Sequence, residues 1–260
     1  MGGIHMRILL LALIAWVMVS GCVSQRTVDG KSQPAQQFNA EEASRTRLAL
    51  GLQYLRSGNF EQAKANLERA REYTPKNPDV YTGLAYYYQQ VRDFKSAEAY
   101  YREAIKLRPE DGDSYNNLGV LLCGQDRHNE ADQMFRKAVA QRGYVKIAST
   151  YQNAGRCAAE QGDLASADRY YELALNHSGG SVNILENYAE LLLSQKRYDK
   201  AGEMIVRRAS YPQLSAQYLW LEVQLAYAQN NKNKRQQFGD LLLQRFPNSS
   251  QARDYQQLIK

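Results

Sequence analysis

The residues of this 260-residue chain whose types could do chemistry are three cysteines, three histidines and a set of asparagines that recur at a regular interval. Cys22 follows a run of small residues, and its thiol is the one nucleophile placed to take a covalent group near the amino terminus. His128 falls in a turn and His177 near a helix end, with no His-x-x-x-His or paired-cysteine motif, so no metal-ligand spacing is present. A Gly-rich phosphate loop and a Gly-x-Ser-x-Gly elbow are both missing. The carboxylates read as solvated helix faces. That inventory argues against an enzyme and gives no cofactor. Asn117, Asn153 and Asn187 are a different matter, because a carboxamide offers both a donor and an acceptor and can pair with any peptide backbone. The expected chemistry is grip, not turnover.

The elements that must position these residues begin at the amino terminus. Arg7 precedes a 12-residue apolar run from Ile8 to Val19, then Ser20-Gly21-Cys22. A basic start, a short apolar stretch and small residues before a cleavage point describe a secretory signal peptide over 1–21. The run is shorter than the roughly 20 residues a membrane-spanning helix needs. Met6 suits the role of initiator, since Arg7 then sits where the charge belongs. Val19-Ser20-Gly21-Cys22 resembles the bacterial lipobox, with Val in place of the usual Leu. The resemblance implies a diacylglyceryl group on the Cys22 thiol, cleavage before it and acylation of the new amine, with palmitate-type chains. Three such chains exceed the two-signal threshold for stable anchoring. No Asp follows Cys22, which by the enteric sorting rule implies the outer membrane, on its periplasmic face. Residues 22–39 are polar and read as a flexible tether.

The composition is that of an all-α protein: Ala, Leu, Gln, Glu, Lys and Arg dominate, Pro numbers 6 and Tyr is abundant at 19. The formal charge of +6 includes Arg7, so the chain from Cys22 onward carries +5. The basic residues are interspersed with acidic ones, and the densest group, Lys232, Lys234 and Arg235, reads as part of an Asn-rich turn. A continuous basic face with interleaved aromatics is what nucleic-acid binding requires, and it is not found.

From residue 40 the chain repeats itself. A small residue recurs at 51, 85, 119, 155, 189 and 226, with increments of 34, 34, 36, 34 and 37. In the first five units an Ala follows twelve residues later, at 63, 97, 131, 167 and 201, whereas in the last Phe238 stands there, as in a terminal cap. This pattern resembles the tetratricopeptide (TPR) consensus. It implies about six helix-turn-helix units, near 44–77, 78–111, 112–147, 148–181, 182–215 and 216–260, stacked into a right-handed superhelix with a concave face. The small residue of helix A is expected to face the Ala of helix B where the two axes approach. Asn39 and Glu42 have capping-box spacing and should start the first helix. Two extra residues near Tyr144 are expected to alter the curvature. Cys123 and Cys157 occupy the twelfth and tenth places of consecutive units, about 200° apart around a helix. Two buried free thiols are therefore favoured over a bridge.

Numbering the small residue as eight, positions two, five, six, nine and twelve or thirteen of helix A face the concave side. Position six is Asn117, Asn153 and Asn187, a series that resembles the asparagine ladder with which some TPR proteins hold an extended segment. Its neighbours are Tyr86, Asn116, Gln152, Arg156, Glu186 and Glu190, with Val120, a mixed and polar surface in which Tyr86 is the expected aromatic anchor.

The layout of lipobox, short tether and six TPR units resembles the PilF/PilW family of type IV pilus biogenesis lipoproteins. The stretch from Leu48 to Ala63 is similar to that family's opening repeat, and Asn116-Asn117-Leu118-Gly119 matches locally. The resemblance implies a pilotin: an outer-membrane lipoprotein that binds secretin subunits and promotes their localisation and multimerisation. A monomer is the expected state for an array with a distinct terminal unit. The alternative is a periplasmic TPR adaptor lipoprotein that scaffolds peptidoglycan hydrolases or outer-membrane protein assembly.

Overall fold

The computed structural model describes residues 38–259 together with two short segments, Thr27–Val28 and Lys31–Ser32. Cys22, the expected signal segment 1–21 and most of the expected tether lie outside the described residues. The two segments, β1 and β2, pair antiparallel with Thr27 opposite Ser32 and Val28 opposite Lys31. Among the described residues everything else with regular structure is helical, and the chain divides into a unit over Met1–Glu42 and a unit over Ala43–Lys260.

Thirteen helices follow among the described residues. Six antiparallel pairs are α1 (Ala40–Arg56) with α2 (Phe60–Tyr73), α3 (Pro78–Gln90) with α4 (Phe94–Leu107), α5 (Gly112–Cys123) with α6 (His128–Val139), α7 (Ile147–Glu160) with α8 (Leu164–His177), α9 (Val182–Ser194) with α10 (Tyr198–Ala209), and α11 (Ala216–Ala228) with α12 (Lys232–Arg245). A thirteenth helix, α13 (Ser250–Leu258), packs on the last pair. No helix among the described residues is long and apolar enough to cross a membrane. The fold is the all-α TPR superhelix that the repeat implies.

One chemical rule builds every intra-pair turn. Gly58, Arg92, Asp126, Gly162, Lys196 and Asn230 all have positive φ, between 54° and 85°. In each case the next residue's N–H reaches back to a carbonyl five residues earlier, as Asp93 N to Tyr88 O (2.9 Å) and Asn231 N to Ala226 O (2.7 Å). This is the left-handed helix stop with its 6→1 bond. The same residue then begins helix B. Asn59, Asp93, Asp163 and Asn231 cap it with a side-chain oxygen. Arg127 and Arg197 make no such cap. They bridge back to the preceding repeat instead, to Glu98 (2.5 Å) and Asp168 (2.6 Å). Asn39 likewise caps α1, accepting from Glu42 N at 3.1 Å.

The pairs close on one another through the small residue of helix A, with a refinement of the expected contact. A Cβ at Gly51, Gly119 or Gly155 would lie 2.7 Å from Leu67, Phe135 or Tyr171, the large residue one turn beyond the helix-B Ala. The Ala backbone is close as well: the same Cβ would be 3.3 Å from Ala63 O or Ala167 O. The missing side chain thus makes room for an aromatic or Leu that fills the seam. Buried residues from successive repeats merge into clusters that run along the array. Tyrosines stack within them, Tyr171 on Tyr188 at 4.2 Å and Tyr88 on Tyr100 at 5.2 Å between ring centres. The two extra residues fall in the loop between α6 and α7. There the Tyr144 ring occupies the place of a side chain at Gly112, and its hydroxyl pairs with Thr150 Oγ1 at 2.9 Å.

The expectation of two free thiols is overturned. Cys123 and Cys157 form a disulfide, with Cα atoms 5.8 Å apart. The 200° separation compares directions about a single axis, whereas the cysteines lie on two helices that cross. Cys123 is the last residue of α5, where that helix runs beside α7, so the two side chains meet between the repeats.

Candidate functional site

A cleft of about 690 Å³ runs over the inner faces of the first four A helices. The first three offer positions five and nine to it, Leu48 and Leu52 from α1, Thr82 and Tyr86 from α3, and Asn116 and Val120 from α5, while α7 offers position nine, Arg156. The helical period dictates this, because residues four apart share a face. Leu48 and Leu52 make the floor at one end apolar, and Tyr86 beside them is 40% exposed. Toward the other end the lining turns to amide and then to cation.

The asparagines are joined to each other. Asn153 Nδ2 donates to Asn116 Oδ1 at 3.0 Å, and Asn116 Nδ2 donates to Asn117 Oδ1 at 3.3 Å. This head-to-tail chain crosses from α7 to α5 and leaves the Asn153 oxygen and the Asn117 amide nitrogen at its two ends. An extended segment would find an acceptor and a donor, already aligned by the amide between them. Polarisation along such a chain strengthens its ends.

Ion pairs brace the rim. Arg108 holds Asp79 at 2.8 Å, tying the end of α4 to the start of α3, and Lys146 holds Asp113 at 2.7 Å, tying the loop before α7 to the start of α5. The hydrogen bond to Asp79 raises the Arg108 pKa further. At the back wall Tyr101 donates to Gln89 Oε1 at 3.1 Å, and burial pushes its phenol well up, so it remains a neutral donor. Arg156 is the freest cation of the lining, more than half exposed, with Glu160 3.9 Å away.

The residues expected from the sequence separate into two groups. Tyr86, Asn116, Asn117, Asn153 and Arg156 come together in the cleft. Gln152, Asn187, Glu186 and Glu190 are not among its lining. Asn187 lies further along the array and pairs within its own helix, with Asn183 at 3.3 Å, while Glu190 is exposed. Glu186 departs most from expectation. It is buried, takes a hydrogen bond from Arg208 Nε at 2.6 Å and another from Ser215 Oγ at 2.7 Å. Arg208, itself 1% exposed, also reaches Gln213 O at 2.7 Å, so the pair secures the loop before α11. The apolar floor at Leu48 and Leu52 was overlooked in the sequence, although the numbering that selected Tyr86 at position nine selects both, as positions five and nine, when carried back one unit.

A second grouping joins residues that sequence spacing keeps apart. The ligating atoms of Cys123, His128 and Cys157 lie within 4.8 Å of one another, in contrast to the absence of any metal-ligand spacing along the chain.

Comparison with known proteins places this geometry. Models of the tetratricopeptide repeat match residues 48–88, 78–111 and 111–178. The type IV pilus assembly protein PilF of Pseudomonas aeruginosa is 28% identical over 247 residues, covering 95% of this chain and 96% of that one. The solved structure of Pseudomonas aeruginosa PilF superimposes with a TM-score of 0.64 at 27% identity, over 84% of this chain and 99% of that one. The crystal structure of PilW, described as a widely conserved type IV pilus biogenesis factor, superimposes with a TM-score of 0.68 at 25% identity, over 87% of this chain and all of that one. Both the repeats and the full-length match lead to one assignment: the chain belongs to the tetratricopeptide-repeat family of PilF and PilW, the type IV pilus biogenesis factors.

Proposed function

We propose that this protein is a pilotin, which binds subunits of the pilus secretin through its concave cleft and promotes their multimerisation in the outer membrane. The observation that carries the reading is the amide chain Asn153–Asn116–Asn117 beside an apolar floor, open to an extended protein segment. Backbone-directed amides hold a strand whatever its side chains are, and the Leu48, Leu52 and Tyr86 end gives an apolar anchor residue a place to be buried. Its work is to hold a partner, with no bond made or broken. Acylation at Cys22 supplies the address: the lipid chains hold the protein to the periplasmic face of the outer membrane, and the superhelix carries the partner there.

The test is membrane fractionation of a strain lacking the gene, with blotting for secretin multimers. Loss of outer-membrane multimers, restored by the wild-type gene and not by Cys22→Ser, is the expected result. Normal multimers in the outer membrane of the deletion strain would overturn it.

A further inference from the structure

We propose that Cys123 and Cys157, once reduced, form with His128 and Glu160 a tetrahedral site for Zn²⁺ at the junction of the third and fourth repeats. The inference is independent of the pilotin reading. Its starting point is two groups directed at a disulfide. His128 Nδ1 lies 3.5 Å from Cys157 Sγ and 3.9 Å from Cys123 Sγ, and a carboxylate oxygen of Glu160 lies 3.2 Å from Cys123 Sγ. A disulfide sulfur has no hydrogen to donate, so it gives the carboxylate no reason to be there. A cation between the four groups would.

The distances suit such an ion. With Zn–S of about 2.3 Å and Zn–N or Zn–O of about 2.0 Å, a tetrahedron has S···N and S···O edges of about 3.5 Å. The three edges from the sulfurs to His128 and Glu160 already fall near that value. The half-exposed Glu160 carboxylate, which stands outside the Cys123, His128 and Cys157 cluster, must turn in, and the sulfurs must open to about 3.8 Å. Their Cα atoms stand 5.8 Å apart, which lets side-chain rotation do this without moving the helices. Two thiolates, one imidazole nitrogen and one carboxylate are the donors that zinc takes in proteins. Asp126 Oδ1 lies 3.8 Å from the other imidazole nitrogen, on the side where an orienting carboxylate belongs. Arg156, 3.9 Å from Glu160, offsets the net negative charge of the filled site. A small cleft of about 120 Å³ reaches His128 and Cys157 and provides a way in.

The chemistry balances with a dithiol as reductant. Its thiolate attacks one sulfur, and the reductant leaves as its own disulfide. Two electrons and two protons end on Cys123 and Cys157, and Zn²⁺ displaces the two protons as it binds. Disulfide and metal site are alternative states of the same two sulfurs, and each ties α5 to α7.

The test uses the full chain in detergent, reduced with dithiothreitol, freed of it under anaerobic conditions and titrated with Co²⁺. Saturation at one Co²⁺ per chain, with a thiolate-to-cobalt charge-transfer band and tetrahedral d–d absorption that Zn²⁺ abolishes, is the expected result. His128→Ala and Glu160→Gln should each weaken binding at least about tenfold. Both variants keep the two cysteines, so re-formation of the 123–157 bond on oxidation shows that the junction is still folded. No thiolate band in the reduced wild type, or unchanged binding in either variant, would overturn the proposal.

Discussion

At the residue scale, glycines in this array have opposite roles depending on what stands opposite them. A side chain at Gly155 would meet the Tyr171 ring at 2.7 Å, whereas one at Gly202 meets only Leu225 at an ordinary 3.7 Å. Gly155→Val should therefore cost about 2 kcal/mol or more through overpacking. Gly202→Ala should stabilise by about 0.5–1 kcal/mol, because Ala is the better helix former and its methyl fits. Denaturant midpoints of the two variants check both signs. The cleft amides give a second residue-scale prediction. Asn117→Ala with Asn153→Ala removes the two free ends of the amide chain and, on the proposed function, should weaken capture of an extended partner segment about tenfold or more, with helicity and melting nearly unchanged. Equal capture by the double variant would move the site off the asparagines.

Between neighbouring elements, the arginines that fail to cap their own helices join repeats together. Arg197, at the start of α10, reaches Asp168 on α8 at 2.6 Å, where Lys200 (2.6 Å) and the Tyr188 hydroxyl also converge. Burial alone would raise the Asp168 carboxyl, but the hydrogen bonds from Arg197, Lys200 and Tyr188 outweigh it and bring its pKa down to about 2. In the unfolded chain the same group titrates near 3.9. Its contribution is accordingly complete above about pH 4 and is lost as the pH falls through 2. Melting temperatures measured from pH 4 to pH 2 should drop more steeply for the wild type than for Asp168→Asn, which starts lower and changes less.

Over the whole molecule, a repeat array is held by contacts between neighbours, so damage at one end stays near that end. The carboxyl-terminal end is closed by α13. Tyr255 is buried and its ring fills the place of a side chain at Gly239, while Leu242 beneath is fully covered. Tyr255→Ala should cost about 3 kcal/mol locally. Hydrogen exchange should show α11 and α12 losing protection while α1 to α4 keep theirs. A uniform loss along the chain would instead mean that the repeats unfold as one cooperative body. The amino-terminal half carries the cleft, and that separation lets the far end be altered with the cleft intact.

Much of this was legible along the chain. Period and residue size are local properties, so the 34-residue recurrence of a small residue and an Ala was enough to place the helix pairs, their turns and the face bearing Tyr86, Asn116, Asn117, Asn153 and Arg156. Asn187 and Glu186 share the register of those residues but not their surroundings, because the lining ends at the fourth repeat and the loop before α11 brings Arg208 onto Glu186. The contact between Cys123 and Cys157 was hidden for a related reason: a helical wheel gives direction about one axis, and the crossing of α5 and α7 decides which directions meet. The same crossing brings His128 and Glu160 to those sulfurs. The repeat itself was determined by the sequence alone, because a pattern of side-chain sizes dictates how two helices can pack. Which residues share a site across repeats was decided only by the tertiary structure, because that depends on the angles between helices that no local spacing records.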